Sequence, residues 1–347
     1  YKIGVIDLPS FYMDMSGARL GMPNYKSSTV DVEEIIRDFR ARGVDAVVLD
    51  LRRNGGGSLT EAINLTGLFI EEEGVVVQVK GTGGTVFQYR APPLANSPRE
   101  LQERYHRKFV LDPEGCWSGP LVVLTSKFSA SASEILAGAI QDYGRGPIVG
   151  DRATHGKGTV QSLMDLGQSL FSKLPNVRDD KYGALKITMQ QFYRPSGAST
   201  QNRGVLADVE LPSLTTHLDV GEADLDYPVA FDHVKPLEFK KLDLIDKTIC
   251  DRLSYLSSQR RKESRDFEKV LEGIDRYLER KERKTVTLNE AEFMAEIEEL
   301  NADKEEKEAI EEMSEPGENG IERTYYLDEA LAITVDYLKL MNQTSPN

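Results

Sequence analysis

In the stretch KFSASASEILAGAI, residues 127–140, three serines alternate with alanines ahead of an apolar, helix-forming run. Ser131 and Glu134 stand in the S-x-x-E spacing of a capping box, in which a serine hydroxyl does no more than satisfy a free N–H at the helix start. The same place suits a nucleophile, because a helix N-terminus carries partial positive charge and exposed N–H groups that favour developing anionic charge. Both readings stay open on local sequence.

Two further stretches carry chemistry. DLRRNGGGSL, residues 50–59, follows an apolar strand-like run and precedes a helix. Consecutive glycines let a backbone approach a ligand closely and turn its N–H groups toward an oxyanion, although a mobile strand-to-helix turn would look the same. It is not a phosphate loop, since G-x-x-x-x-G-K-[ST] is absent. In THGKGTVQ, residues 154–161, Lys157 sits between two glycines. If a strand starts there, its period of two puts Lys157, Thr159 and Gln161 on one face, and Gln161 can hold the lysine amine. A lysine acting as base must be neutral at working pH. Its pKa then falls from about 10.4 toward 7–8, which takes about 4 kcal/mol of burial or neighbouring dipoles. The plainer alternative is an exposed loop lysine.

FSASASEI, DLRRNGGG, GKGTVQ and FYRPSGASTQNRGVLADVELP, in this order, resemble the catalytic core of the C-terminal processing peptidases, the tail-specific proteases, over residues 1–213. The remainder, above all YYLDEALAITVDYLKL, is similar to the C-terminal domain of the larger, periplasmic-type members. The resemblance implies a crotonase/ClpP-like mixed α/β core followed by an all-helical domain. It implies a serine endopeptidase with Ser131 as nucleophile, Lys157 as general base and Gln161 beside it. The backbone N–H groups of Ala132 and Gly57 would form the oxyanion hole. No metal or cofactor is implied. The substrates would be polypeptides with apolar or unstructured C-termini, an adaptor could dock on the helical part, and the compartment would be the periplasm, with a place in protein quality control.

The sequence departs from the family pattern at three points. Ser131 and Lys157 are 26 residues apart, one more than close relatives would have, with the extra residue in GDRATHG. Ala207 stands where proline is usual. The chain opens at YKIGVIDL, without a methionine or secretion signal, about where the family's PDZ domain ends. It therefore reads as a fragment or processed form, with the PDZ domain and more N-terminal regions expected to be absent. Two other readings compete with a peptidase: a non-catalytic peptide-binding module, and another acyl-transfer enzyme on a crotonase-like fold. Intact Ser131 and Lys157 oppose the first, and the lack of a nucleotide or CoA signature opposes the second. Within the site, His155 could pair with serine but has no orienting acid evident nearby. Asp142 falls 11 residues after Ser131, about 16 Å along a helix, and reads as structural. His106, His217 and His233 have no motif around them.

The elements that must position these groups alternate. Helical stripes at 30–43 and 59–74 and the helix after Ser131 are interleaved with strand-like runs at 44–51, 75–81, 120–126, 147–151 and 184–197, the pattern of an α/β core. Residues 214–239 read as a linker and 240–347 as a charge-rich helical domain, with a polar loop at 311–320 and a closing helix at 325–340. From 214 to 347 there are 33 acidic and 19 basic residues, leaving 24 of each before it, so the net charge of −14 belongs wholly to the second part. That balance opposes binding of nucleic acid or anionic lipid there. No apolar run approaches the roughly 18 residues needed to span a bilayer. Cys116 and Cys250 are expected to be two unrelated thiols rather than a disulfide.

Overall fold

The structure, a computed structural model, describes residues 1–22, 24–99, 109–166, 183–283, 285, 287–291, 293, 294, 321 and 323–344. His106 and the loop at 311–320 lie outside them. In chain order the elements are β1 (Ile3–Asp7), α1 (Met15–Leu20), α2 (Ser28–Ala41), β2 (Ala46–Asp50), α3 (Leu59–Thr66), β3 (Val75–Lys80), β4 (Val86–Arg90) and β5 (Leu121–Thr125). Then come α4 (Ala132–Asp142), β6 (Ile148–Gly150), β7 (Thr159–Asp165), β8 (Ala184–Tyr193), β9 (Val209–Glu210), α5 (Lys247–Lys262), α6 (Arg265–Glu282) and α7 (Tyr325–Thr344). The expected α/β alternation and the helical C-terminal part are both present.

The short apolar runs make a parallel sheet in the order β1-β2-β5-β6-β9. The central strands are apolar over Ala46–Leu49, Leu121–Leu124 and Ile148–Val149 because both faces are covered, while Asp7, Asp50, Thr125 and Glu210 stand at strand ends. Successive side chains point to opposite faces. Val47, Leu49, Leu121 and Val123 pack with Val32 and Ile36 of α2, Leu65 of α3 and Leu136 and Ile140 of α4. Val48, Val122 and Leu124 pack with Leu253 of α5 and Leu327, Ala330, Ile333 and Tyr337 of α7. The C-terminal helices thus form the second cover of the sheet, and the core of residues 1–213 is closed by residues far beyond it in sequence. A second, antiparallel sheet, β4-β3-β8-β7, stands beside the first. Strand β4 has no counterpart in the sequence reading, because VFQYR is half exposed and lacks a clean apolar alternation. Helix α3 ends at Thr66, earlier than the glycine at 74 suggested, and the N–H groups of Leu68 and Phe69 bond only three residues back, to Leu65 and Thr66.

The loops that carry the motifs leave from the C-terminal ends of parallel strands: the glycine loop from β2, the serine loop from β5 and the lysine loop from β6. Open α/β sheets place their ligand crevice there. Both cysteines are free, with their thiols pushed up by burial to about 11 at Cys116 and about 12 at Cys250.

Ile333→Ala should destabilise the protein by about 2–5 kcal/mol, the usual cost of emptying a buried aliphatic site. The single tryptophan, Trp117, is buried against the other face of the sheet. Its fluorescence in a urea titration should shift in the same transition as the far-UV signal. An unchanged tryptophan transition would mean that the helices do not stabilise the core.

Candidate active site

Ser131 is the N-cap of α4 and has φ 57° and ψ −108°, a region that costs a non-glycine residue about 1–3 kcal/mol. Such a conformation persists only where neighbours over-determine it, and here they do. The Ser131 N–H donates to Glu134 Oε2 at 2.7 Å. The N–H of Ala130 donates to the Asn54 carbonyl at 3.1 Å, and the Ser133 hydroxyl donates to the same carbonyl at 2.8 Å. Ser129 donates to the Leu51 carbonyl at 2.7 Å and Ser126 to the Arg52 carbonyl at 2.6 Å. The serine loop is therefore sewn to the glycine loop along its length.

These bonds sort the three serines. Ser129 and Ser133 are buried and use their hydroxyls to hold the loops together. Ser131 is half-buried, and its hydroxyl makes no hydrogen bond among the described residues. Glu134 accepts from the Ser131 N–H, and the Glu134 N–H goes to the Ser131 carbonyl at 3.0 Å.

The other half of Glu134's capacity faces the lysine loop. Its Oε1 accepts from the Thr154 hydroxyl at 2.6 Å and the Gly156 N–H at 2.7 Å, and its Oε2 also accepts from the Lys157 N–H at 3.0 Å. Ser131 N and Lys157 N share one oxygen, so they can be no further apart than the sum of those two bond lengths. Thr154 cannot reverse its role freely, because its hydroxyl oxygen already accepts from the Val205 N–H at 2.8 Å. Burial pushes the Glu134 carboxyl up to about 7, against four donors that pull it down.

Lys157 is half-buried, and its Nζ donates to Gln161 Oε1 at 3.1 Å. No hydrogen bond joins Nζ to Ser131 Oγ among the described residues. Desolvation lowers the lysine pKa from its ordinary value, and the positive charge of Lys186 on β8 adds to the effect; Glu222 and Glu134 oppose it. The strand-face reading of Gln161 needs correcting in its reason. Lys157 lies before β7, so the alternation of that strand does not by itself relate the two side chains. The extra residue at the register shift, Met189, belongs to β8, and Gln161 meets the amine from within β7.

Neither Ala132 nor Gly57 donates its N–H to an acceptor among the described residues. Ala132 is the first residue of α4, where helix geometry supplies no internal partner. Gly57, at φ 145°, lies against the Phe11 backbone, whose carbonyl carbon a Cβ there would meet at 2.8 Å. Gly56, at φ 111°, touches the serine turn itself: a Cβ would sit 3.0 Å from Ser131 Cβ. Its N–H is taken by Asn54 Oδ1 at 2.9 Å.

The competing groups are also placed. His155 has an acid near it that sequence did not reveal, Glu222, with Oε2 4.0 Å from Nδ1. That is beyond hydrogen-bond reach, and buried Nδ1 has no partner. Desolvation lowers the His155 pKa, which favours the neutral ring. Asp142 pairs with Arg194 and accepts from the Ser196 N–H at 2.9 Å, a structural role remote from Ser131. Sequence reasoning saw Glu134 only as a helix cap. Its second task had no signal, because Thr154 and Gly156 are more than 19 residues away.

Residues 2–211 match the model of Peptidase family S41, and residues 215–339 match that of the C-terminal domain of tail specific protease. The chain is 31% identical over 350 residues to the tail-specific protease of Haemophilus influenzae, covering 97% of this chain and 45% of that protein. It is 32% identical over 205 residues to the carboxy-terminal-processing protease of Bartonella bacilliformis, covering 56% of this chain and 40% of that one. A photosystem II D1 C-terminal processing protease superposes with a TM-score of 0.43 at 26% identity, over 60% of this chain and 42% of the other. The chain spans less than half the length of these relatives.

Glu134→Gln replaces one accepting oxygen with an NH₂ donor. In one amide orientation that group faces the Thr154 hydroxyl and the Gly156 N–H, and in the other the Ser131 and Lys157 N–H groups. The variant should lose about 1–3 kcal/mol of stability, the cost of buried groups left unpaired, and Ser131 should become less reactive toward a fluorophosphonate probe. Thermal melting and labelling rate check this together; wild-type values for both would mean that the carboxylate does not hold the loops.

Proposed function

The chain belongs to Peptidase family S41, and on that premise we propose that it is the hydrolytic part of a tail-specific serine endopeptidase working through Ser131 and Lys157. Ser131 Oγ attacks the carbonyl carbon of a peptide bond while neutral Lys157 takes the hydroxyl proton. The oxyanion of the tetrahedral intermediate accepts from the N–H groups of Ala132 and Gly57, each donor worth a few kcal/mol. The C–N bond breaks and the lysine passes its proton to the leaving amine. Water then attacks the acyl ester, with the lysine again as base, and Ser131 regains its proton.

The observation that carries this reading is the shared Glu134 oxygen. One buried carboxylate ties the backbone of the only serine in the motif with an uncommitted hydroxyl to the backbone of the lysine. The amine, parked on Gln161, must swing toward Ser131 to act, which a flexible four-carbon side chain allows. Two further features support it: the N–H groups of Ala132 and Gly57 lack acceptors among the described residues, and desolvation lowers the lysine pKa toward the neutral form a base requires.

The substrates in this proposal are polypeptides with apolar or unstructured C-termini, the compartment is the bacterial periplasm, and an adaptor is accommodated on the helical part. Residues 1–213 form the peptidase core, 214–239 the connection and 240–347 the helical domain. Among the described residues no helix is long and apolar enough to cross a membrane.

Ser131→Ala and Lys157→Ala should each abolish cleavage of an unfolded protein and fluorophosphonate labelling without unfolding the chain. The double variant should be little worse than either single one, since the pair acts as a unit. His155→Ala should keep most activity. Persistent cleavage by the Lys157 variant together with a dead His155 variant would overturn the assignment.

The rate should rise with pH through an apparent pKa below 10.5, because the folded protein favours neutral Lys157. Removing the neighbouring positive charge with Lys186→Gln should move that limb to higher pH. A shift in the opposite direction would assign the limb to another group.

A further inference from the structure

Tyr326, on the C-terminal helix α7, is buried and touches Asp151, where the lysine loop leaves β6, and Arg52 of the glycine loop. Its hydroxyl donates to Asp151 Oδ1 at 3.1 Å. The other oxygen of that buried carboxylate, Oδ2, accepts the Lys127 N–H at 2.8 Å and the Thr215 hydroxyl. Lys127 opens the serine loop, four residues before Ser131. The Tyr326 ring also lies under the Arg52 guanidinium, with 5.4 Å from its central carbon to the ring centroid. Arg52 belongs to the glycine loop, is held to Asp50 by a 2.7 Å ion pair, and offers its carbonyl to the Ser126 hydroxyl. One side chain of the helical region therefore contacts the supports of both the nucleophile and the oxyanion loop.

We propose that Tyr326 is a positioning residue for Ser131, fixing the serine loop through Asp151 and the glycine loop through Arg52. It thereby makes the reactivity of the site depend on how α7 is seated on the sheet. This rests on the reading of Ser131 as nucleophile. The geometry explains why a buried helix would place a hydroxyl there at all. Phenylalanine would fill the same volume, but it would leave Asp151 Oδ1 without its donor in a site closed to water, where an unmatched acceptor is costly. The loop it steadies holds Ser131 in a strained conformation, so small losses of restraint there fall on the group whose alignment matters most. Tyr337 on the same helix provides the contrast. It is equally buried, but its hydroxyl donates to the Leu244 carbonyl at 3.3 Å, away from both loops.

The test uses the intact chain and its Tyr326→Phe, Tyr337→Phe and Asp151→Asn variants, with two readouts. In hydrogen–deuterium exchange, amides of residues 126–131 should exchange several-fold faster in Tyr326→Phe and Asp151→Asn and at the wild-type rate in Tyr337→Phe. Fluorophosphonate labelling of Ser131 should slow about tenfold in the first two, the scale of a small misplacement of a reacting group. On an unfolded protein substrate kcat should fall while KM stays nearly constant. Adding Tyr326→Phe to Asp151→Asn should cost little more, because the two act in one chain of contacts. Wild-type exchange at 126–131 in a folded Tyr326→Phe protein overturns the proposal, and Asp151→Asn decides it in the same way if that variant does not fold. Absence of labelling in the wild type would instead remove Ser131 as nucleophile, while the exchange data would still report whether α7 restrains the loop.

Discussion

Glu134 has no contact with water, and its two oxygens receive four hydrogen bonds from two loops that follow different strands of the sheet. A buried carboxylate is costly unless every lone pair is matched, so the loops cannot drift apart without exposing an unmet charge. The cost of burial thus becomes a restraint on geometry. The serine turn is strained, the lysine loop is rich in glycine, and neither has a strong conformational preference of its own. Each is held by the same residue, so the distance between their backbones is set once.

The parallel sheet makes this possible. Its strands run in register from β1 to β9, so the loops at their C-terminal ends emerge side by side. The glycine, serine and lysine loops are neighbours because β2, β5 and β6 are neighbours. Hydrogen bonds between Ser126, Ser129 and Ser133 and the carbonyls of 51–54 then lock the first two together. The alternation of serine in the motif has a structural use on either side of Ser131, which leaves that half-buried hydroxyl uncommitted among the described residues.

The C-terminal helices are part of the same construction. Helix α7 buries Leu327, Ala330, Ile333 and Tyr337 against strands β2, β5 and β6, whose opposite faces carry the rest of the core. Both faces of a parallel sheet must be covered, and the N-terminal part supplies helices for one face only. Among the described residues, charged pairs such as Arg260 to Glu329 at 2.8 Å join α5 to α7.

The α/β alternation and the short apolar runs of the parallel sheet were legible in sequence from local periodicity. The roles proposed for Ser131, Lys157, Gln161, Gly57 and Ala132 came from the resemblance of their motifs to a family, since local pattern left each of them open. The S-x-x-E spacing also announced Glu134, but only as a cap, because a capping box is closed within one turn. Three things required the folded chain. The hydrogen bond from Lys157 to Gln161 joins a loop residue to β7, whose start is set by pairing with β8. The pairing of Glu222 with the surroundings of His155 and the contact of Tyr326 with Asp151 join segments 67 and 175 residues apart. The second cover of the sheet comes from a helix near the end of the chain. A one-dimensional pattern reports what a residue can do with its near neighbours. Which distant donors meet a buried carboxylate is decided only when the strands have set the order of their loops.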